Sequence, residues 1–158
     1  MTTEAVAARA QMLIRRPVAE VFAAFIEPEH TSKFWFSRGS GRLEQGKRVE
    51  WEWEKYGFSV PVVVKAVEDN QRIVVEWPAY AIPTTIEWLF TARPDDTTYV
   101  SITNSGFGGG AAEVAQQAVS ATEGFAYVLA ALKALLEHGV SLNLVADKWP
   151  DGVPASAS

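Results

Sequence analysis

The stretch "RVEWEWEK", from Arg48 to Lys55, alternates apolar and charged side chains without a break. Val49, Trp51 and Trp53 fall on one side, and Glu50, Glu52 and Glu54 on the other. A period of two belongs to an extended strand, whose successive side chains point to opposite faces. One face must be buried and the other wet, as in antiparallel sheets with a single covered face. A fold that accepts this chain has to bury neighbouring indoles on one side of a sheet while the carboxylates stay in water.

The same period recurs downstream. "FSVPVVVKAVE" sets Phe58, Val60, Val62 and Val64 on one side, with Lys65 marking the wet side. Pro61 has no N–H to give a ladder, so it predicts an edge strand or a bulge. "RIVVEW" aligns Ile73, Val75 and Trp77; "TTIEWLFTA" aligns Ile86, Trp88 and Phe90 against Glu87; "TYVSITN" puts Val100, Ile102 and Asn104 in one row. The turn clusters "EDNQR" and "RPDDT" separate these runs at hairpin spacing. Residues 5–15 read as a further, first strand.

Helical periods bracket the strands. In "RPVAEVFAAFIEPEH", Val18, Val21, Phe22 and Phe25 repeat at i, i+3, i+4 and i+7, with Pro17 expected in the first turn and Pro28 at the end. A second short helix is expected through "EHTSKFWF". "AEVAQQAVSATEGFAYVLAALKALLEHG" carries a stripe of Phe125, Leu129, Leu132 and Leu136, widened by Val128 and Leu135. Thr122 is expected to cap or break it, giving a short helix and then a long one. Gly139 suits the C-terminal cap, and the tail from about residue 150 is expected to be loose. The order is strand, two helices, about six strands and a long helix. Helices segregated from hairpin-linked strands make this an α+β chain. With no internal repeat or linker, residues 1–158 read as a single domain.

Composition removes several function classes. The net charge is -5, and the densest basic cluster is Arg15-Arg16. No nucleic-acid partner is expected, because phosphate binding needs clustered cations. There is no cysteine, which excludes disulfides and thiolate chemistry. The N-terminal residues lack a cationic start followed by an apolar block, so no secretory leader is expected. No apolar run approaches the roughly 18 residues of a membrane span. No membrane insertion is expected, and the expected location is cytoplasmic.

Residues 106–111, "GFGGGA", fit the glycine pattern of a dinucleotide-binding turn. Such a turn needs a parallel strand after its helix and an acidic residue for the ribose. Here too little chain follows the helix, and the preceding strands are hairpin-linked. The reading retained is a mobile connection in which Phe107 acts as a plug or a gate. No cofactor is expected. Nor is a metal site expected: His30 and His138 are not spaced as ligands, and no third ligand is evident. Ser37, Ser101 and Ser105 lack a histidine in any triad arrangement. Asn104, Tyr80 and Tyr99 remain as candidates for polar contacts in a pocket.

The two ends of the chain carry a resemblance. Pro17, Val21-Phe22, Pro28-Glu29 and Phe34-Trp35 resemble the opening signature of the family related to the activator of the Hsp90 ATPase. Gly124-Phe125, Leu129, Leu132 and Leu136 resemble its closing helix. That family sits within the helix-grip superfamily of START and birch-pollen-allergen (Bet v 1-like) folds. The resemblance spans about residues 8–140. It departs in having Phe125 where tryptophan is commoner, and in a longer glycine run. It implies a curved antiparallel sheet of six to seven strands wrapped around the C-terminal helix, with a cavity between them. It also implies a small hydrophobic or amphipathic ligand, a polyketide cyclase or dehydratase-like activity, or a co-chaperone-like interaction module.

On that fold Trp51, Trp53, Trp77 and Trp88 face the Phe125-Leu129 stripe across the sheet. The rings either fill that space or line a pocket, since both outcomes use the same residues. The candidate ligand-binding set is Trp35, Trp51, Trp53, Trp77, Trp88, Asn104, Phe107, Phe125 and Leu129, with no catalytic residue assigned. An apolar interior with few polar tips favours binding over catalysis. Leu142, Leu144, Val145 and Trp149 need cover, either from their own domain or from a second copy in a homodimer. A chaperone partner would use the Glu-rich strand face.

Overall fold

The computed structural model describes residues 6–79 and 82–153. The strands are β1 (Ala8–Ile14), β2 (Arg38–Gly39), β3 (Arg48–Trp53), β4 (Phe58–Glu68), β5 (Arg72–Ala79), β6 (Ile82–Ala92) and β7 (Thr98–Ser105). The helices are α1 (Val18–Ile26), α2 (Pro28–Thr31), α3 (Ala111–His138) and α4 (Leu144–Asp147). All seven strands join one antiparallel sheet in the order β1-β7-β6-β5-β4-β3-β2. The alternation holds: Val49, Trp51, Ile73, Val75, Ile86, Trp88, Val100 and Ile102 are buried on one face. The opposite face carries ion pairs, with Lys65 Nζ 3.7 Å from Glu76 and Arg72 within 2.7 Å of Glu87 and 2.8 Å of Glu68. The architecture is the α+β helix-grip arrangement, an open sheet with α3 on its buried face.

α1 buries Val21, Phe22, Phe25 and Ile26, the face its periodicity defines. Pro17 stands one residue outside the helix, as the N-cap in extended backbone, and its carbonyl accepts the Val21 N–H at 3.2 Å. The second helix is shorter than expected. It ends at Thr31, whose hydroxyl donates to Ala24 O at 2.6 Å and ties α2 onto α1. Beyond it, Phe34, Trp35 and Phe36 are all buried. Neither a helix nor a strand points three successive side chains the same way. The irregular turn that replaces the helix does so. At Gly39 any side chain would collide, because a Cβ there would lie 2.9 Å from Pro28 Cβ and 3.0 Å from the Phe36 ring.

Pro61 is in neither an edge strand nor a bulge, since β4 lies between β3 and β5 and its register shift falls at Val64/Ala66. The edge is local. β4 pairs with β5 only from Val63 onward, opposite Glu76. The Val64 N–H donates to Lys47 O on the β3 side. Backbone groups of successive residues point to opposite edges, so the nitrogen of Pro61 faces β5, where no ladder exists. Below that point β4 continues with β3 alone to Phe58, and β5 with β6 alone to Ala79. The sheet therefore divides into two arms.

α3 runs unbroken through Thr122, whose hydroxyl donates back to Ala118 O at 2.7 Å instead of capping or breaking the helix. It ends at Gly139, with φ 66°, whose N–H bonds Leu135 O at 2.9 Å. By length and composition alone α3 could cross a bilayer, with a mean hydropathy of 1.4 over eighteen residues. Here it is the helix packed on the sheet, burying Phe125, Val128, Leu129, Ala131 and Leu132. An ionic staple holds its end to β1. The largely buried Glu137 carboxylate accepts from Lys133 Nζ at 2.7 Å and from the Arg15 N–H at 2.9 Å. Lys133 also donates to Leu13 O at 2.7 Å. Burial pushes the Glu137 carboxyl up, but its hydrogen bonds outweigh that and hold it below the ordinary value.

Two outcomes follow from this packing. Leu129 has no exposed surface, so Leu129→Ala should lower unfolding free energy by about 2–5 kcal/mol in urea melts. The depressed Glu137 carboxyl stabilises the fold above the ordinary glutamate range, and that stability drains as pH falls below about 4.3. The stability gap between the native protein and Glu137→Gln should be wide at pH 7 and narrow by pH 3 in thermal melts. A gap independent of pH would contradict the staple.

Candidate functional site

Trp35 enters the space between sheet and α3 from the turn after α2. Its ring centroid lies 4.9 Å from Trp51, 5.9 Å from Trp77, 6.0 Å from Trp88 and 5.9 Å from Phe125. On its far side Phe36 stacks on Trp51 at 5.0 Å, and Phe25 contacts Trp88 at 5.7 Å. This half of the interior is solid. Trp51 and Trp88 are each 1% exposed and fill the core instead of lining an opening.

The other half is open. Where the β4 and β5 arms part, a cleft of about 330 Å³ lies between them and α3. Its walls include Trp35, Trp53, Val60, Trp77, Phe125 and Val128. Phe58, exposed on its strand, stacks on Trp53 at 5.2 Å and forms part of the rim. A smaller cavity of about 160 Å³ lies behind the partition made by Trp35, Trp53, Tyr56 and Val145, which both spaces share.

Asn104 supplies a polar group to the cleft although its residue is 1% exposed. Its orientation is determined. Nδ2 donates to Thr85 O at 2.9 Å, and a carbonyl can only accept. Nδ2 also donates at 3.1 Å to Thr84 Oγ1, whose own proton goes to Trp77 O at 3.2 Å. The Asn104 Oδ1 has no partner among the described residues, nor has the indole N–H of Trp77, which lines the same cleft. Because the free atom of Asn104 is an acceptor, this side chain is not an oxyanion donor.

The chain's last segment closes one side. Val145, Lys148, Trp149 and Val153 join the lining. The Tyr56 hydroxyl donates to Val145 O at 2.7 Å, with Ala146 O at 3.0 Å. Burial pushes the Tyr56 phenol up, which keeps it a neutral donor. Lys148 bridges to Glu123 on α3 at 2.6 Å and lies 5.2 Å from the Trp149 ring centroid. Of the apolar residues after α3, Leu144 and Val145 pack on the core and Trp149 joins the cleft lining, whereas Leu142 stays exposed.

Of the candidate set, Trp35, Trp53, Trp77, Asn104 and Phe125 meet at the cleft. Trp51, Trp88, Leu129 and Phe107 do not. Leu129 lies in the core beneath α3. Phe107 is half-buried in the β7–α3 connection and is not among the lining residues of the cleft. That connection is no phosphate cradle: a Cβ at Gly109 would lie 2.7 Å from Glu113 Oε2, so a carboxylate already covers the glycines. Tyr99 is 42% exposed on the outer face, because Val100, Ile102 and Asn104 take the inner one. Tyr80 lies outside the described residues. The alternation missed Tyr56, which sits in a single 3-10 turn at residues 54–56, and Lys148 and Tyr127, which reach the cleft from outside the sheet. The only signals for the last segment were uncovered apolar residues, Trp149 among them.

Known proteins place this geometry in context. Protein SSP2350 from Staphylococcus saprophyticus is 33% identical, with a TM-score of 0.74 over 87% of this chain and 96% of its own. The Aha1 dimer from Colwellia psychrerythraea is 18% identical, with a TM-score of 0.71 over 85% of this chain and 98% of its own. DynU16, a putative protein in the dynemicin biosynthetic locus, is 21% identical, with a TM-score of 0.74 over 85% of this chain and 48% of its own. No curated protein matches the chain. The family model for Activator of Hsp90 ATPase homolog 1-like protein matches residues 15–137, which run from the end of β1 to the Glu137 staple. With strands β2 to β7 and α3 up to Glu137 inside that match, the chain belongs to the Activator of Hsp90 ATPase homolog 1-like family.

Proposed function

We propose that the chain binds a small hydrophobic or amphipathic molecule in the cleft between the divided sheet and α3. The observation that carries this is an indole- and phenyl-walled opening of about 330 Å³ beside the packed rings of Trp51 and Trp88. That volume sits at the lower end of the roughly 300–1,000 Å³ typical of small-molecule sites. It suits a ligand of two or three rings.

An enzymatic reading, a cyclase or dehydratase acting on a polyketide-like substrate, draws on the likeness to DynU16. At 21% identity that likeness speaks to the fold alone. Acid–base chemistry needs a titratable group at the reacting atoms. Among the described residues, those lining the cleft are Tyr56, Tyr127 and Lys148. Tyr56 and Lys148 are engaged in holding the last segment. Binding is the better-supported reading.

Gly124 provides the test. It lines the cleft, and a Cβ there would meet nothing within 4 Å. Gly124→Leu should fill the opening without a clash and should also favour the helix by up to about 1 kcal/mol. Denaturing extraction and mass spectrometry should recover a small organic molecule from the native protein and none from the variant. A hydrophobic library should change tryptophan emission in the native protein alone, while the variant's melting temperature is maintained or raised. Undiminished binding by a folded Gly124→Leu variant would place the site elsewhere.

A further inference from the structure

Three buried side-chain groups near the divided sheet need separate accounts. The Trp88 indole N–H has no partner among the described residues, but Trp88 is 1% exposed and lines neither cavity. The Trp77 N–H and the Asn104 Oδ1 are also without partners among the described residues, and both residues line the cleft. Thr84 joins them: it lies opposite Trp77 in the β5–β6 register, donates to Trp77 O and accepts from Asn104 Nδ2. One donor and one acceptor are thus held to either side of a single threonine. An unpartnered buried polar atom is unfavourable, so a ligand that meets both gains strongly over one that meets neither.

Resting on the cleft reading above, we propose that its buried end recognises a hydroxyl group carried on an aromatic ligand. A hydroxyl donates one hydrogen bond and accepts others, which matches the pair. Its proton goes to Asn104 Oδ1, and its lone pair receives the Trp77 N–H. The rings of Trp35, Trp53 and Phe125 then take the aromatic body. Asn104 sets the preference because the Thr85 carbonyl and the Thr84 hydroxyl prevent its amide from turning to offer a donor instead.

The probes are 2-naphthol and 2-methoxynaphthalene, which share a ring system and differ in the ability to donate. Calorimetric titration of the native protein should show 2-naphthol binding about tenfold more tightly, equivalent to 1.4 kcal/mol. Asn104→Leu should erase the preference, bringing the two probes to equal affinity. Trp77→Phe, which removes the donor and trims the indole to a phenyl, should weaken 2-naphthol several-fold more than it weakens naphthalene. This second variant and the native preference carry the test if Asn104→Leu does not fold. Equal affinities for the two probes in the native protein would overturn the hydroxyl anchor and leave the cleft reading intact. Failure of both probes and naphthalene to bind would overturn both. A preference undiminished in folded Asn104→Leu would remove Asn104 from the role.

Discussion

The insertion of Trp35 between sheet and helix is the interaction on which the rest of the interior depends. It comes from a turn, not from the sheet, and touches rings from β3, β5, β6 and α3 within about 6 Å. Aromatic pairs in tilted and edge contacts add about 0.5–1.5 kcal/mol each beyond the area they bury. A single side chain therefore links the layers and also decides where they stop touching. Toward Trp51 and Trp88 the rings fill the core. On the other side the Trp35 ring becomes a wall, and the cleft begins.

The division of the sheet and the position of Trp35 reinforce one another. If β4 and β5 stayed paired along their full length, Trp53 and Trp77 would belong to one continuous surface. Although the arms separate, the two rings still meet in a tilted contact with centroids 6.3 Å apart, and Trp35 contacts both. The last segment then covers one flank, held by the Tyr56 hydroxyl and the Lys148–Glu123 pair. That flank lies beyond the residues matched by the family model, which end at 137.

The sheet was legible in the sequence because alternation is a local signal, and the buried row of every long strand follows it. Which indoles border the cleft was not legible. Trp51 and Trp53 share one strand and one face, yet the first fills the core and the second lines an opening. Their difference depends on distance from the point where β4 leaves β5, a tertiary property. Asn104 was legible as an inward polar end to an apolar row. Tyr99, on the same strand, was placeable outside by the same alternation. Phe107 misled because an aromatic among glycines suggests motion, whereas its connection packs on the start of β6, where a Cβ at Gly108 would meet Ile82 at 2.6 Å. The run from Phe34 to Phe36 reads as helical in the sequence, and an irregular turn carries it instead.

Pro61 gives the opening a covalent origin. Its ring occupies the nitrogen that would otherwise extend a hydrogen-bonded ladder toward β5. That missing donor is written into the main chain and persists whatever side chains surround it. Exchanging the rings of the wall would leave the same gap in the ladder beside β5. The backbone and the rings thus mark the same boundary by independent means.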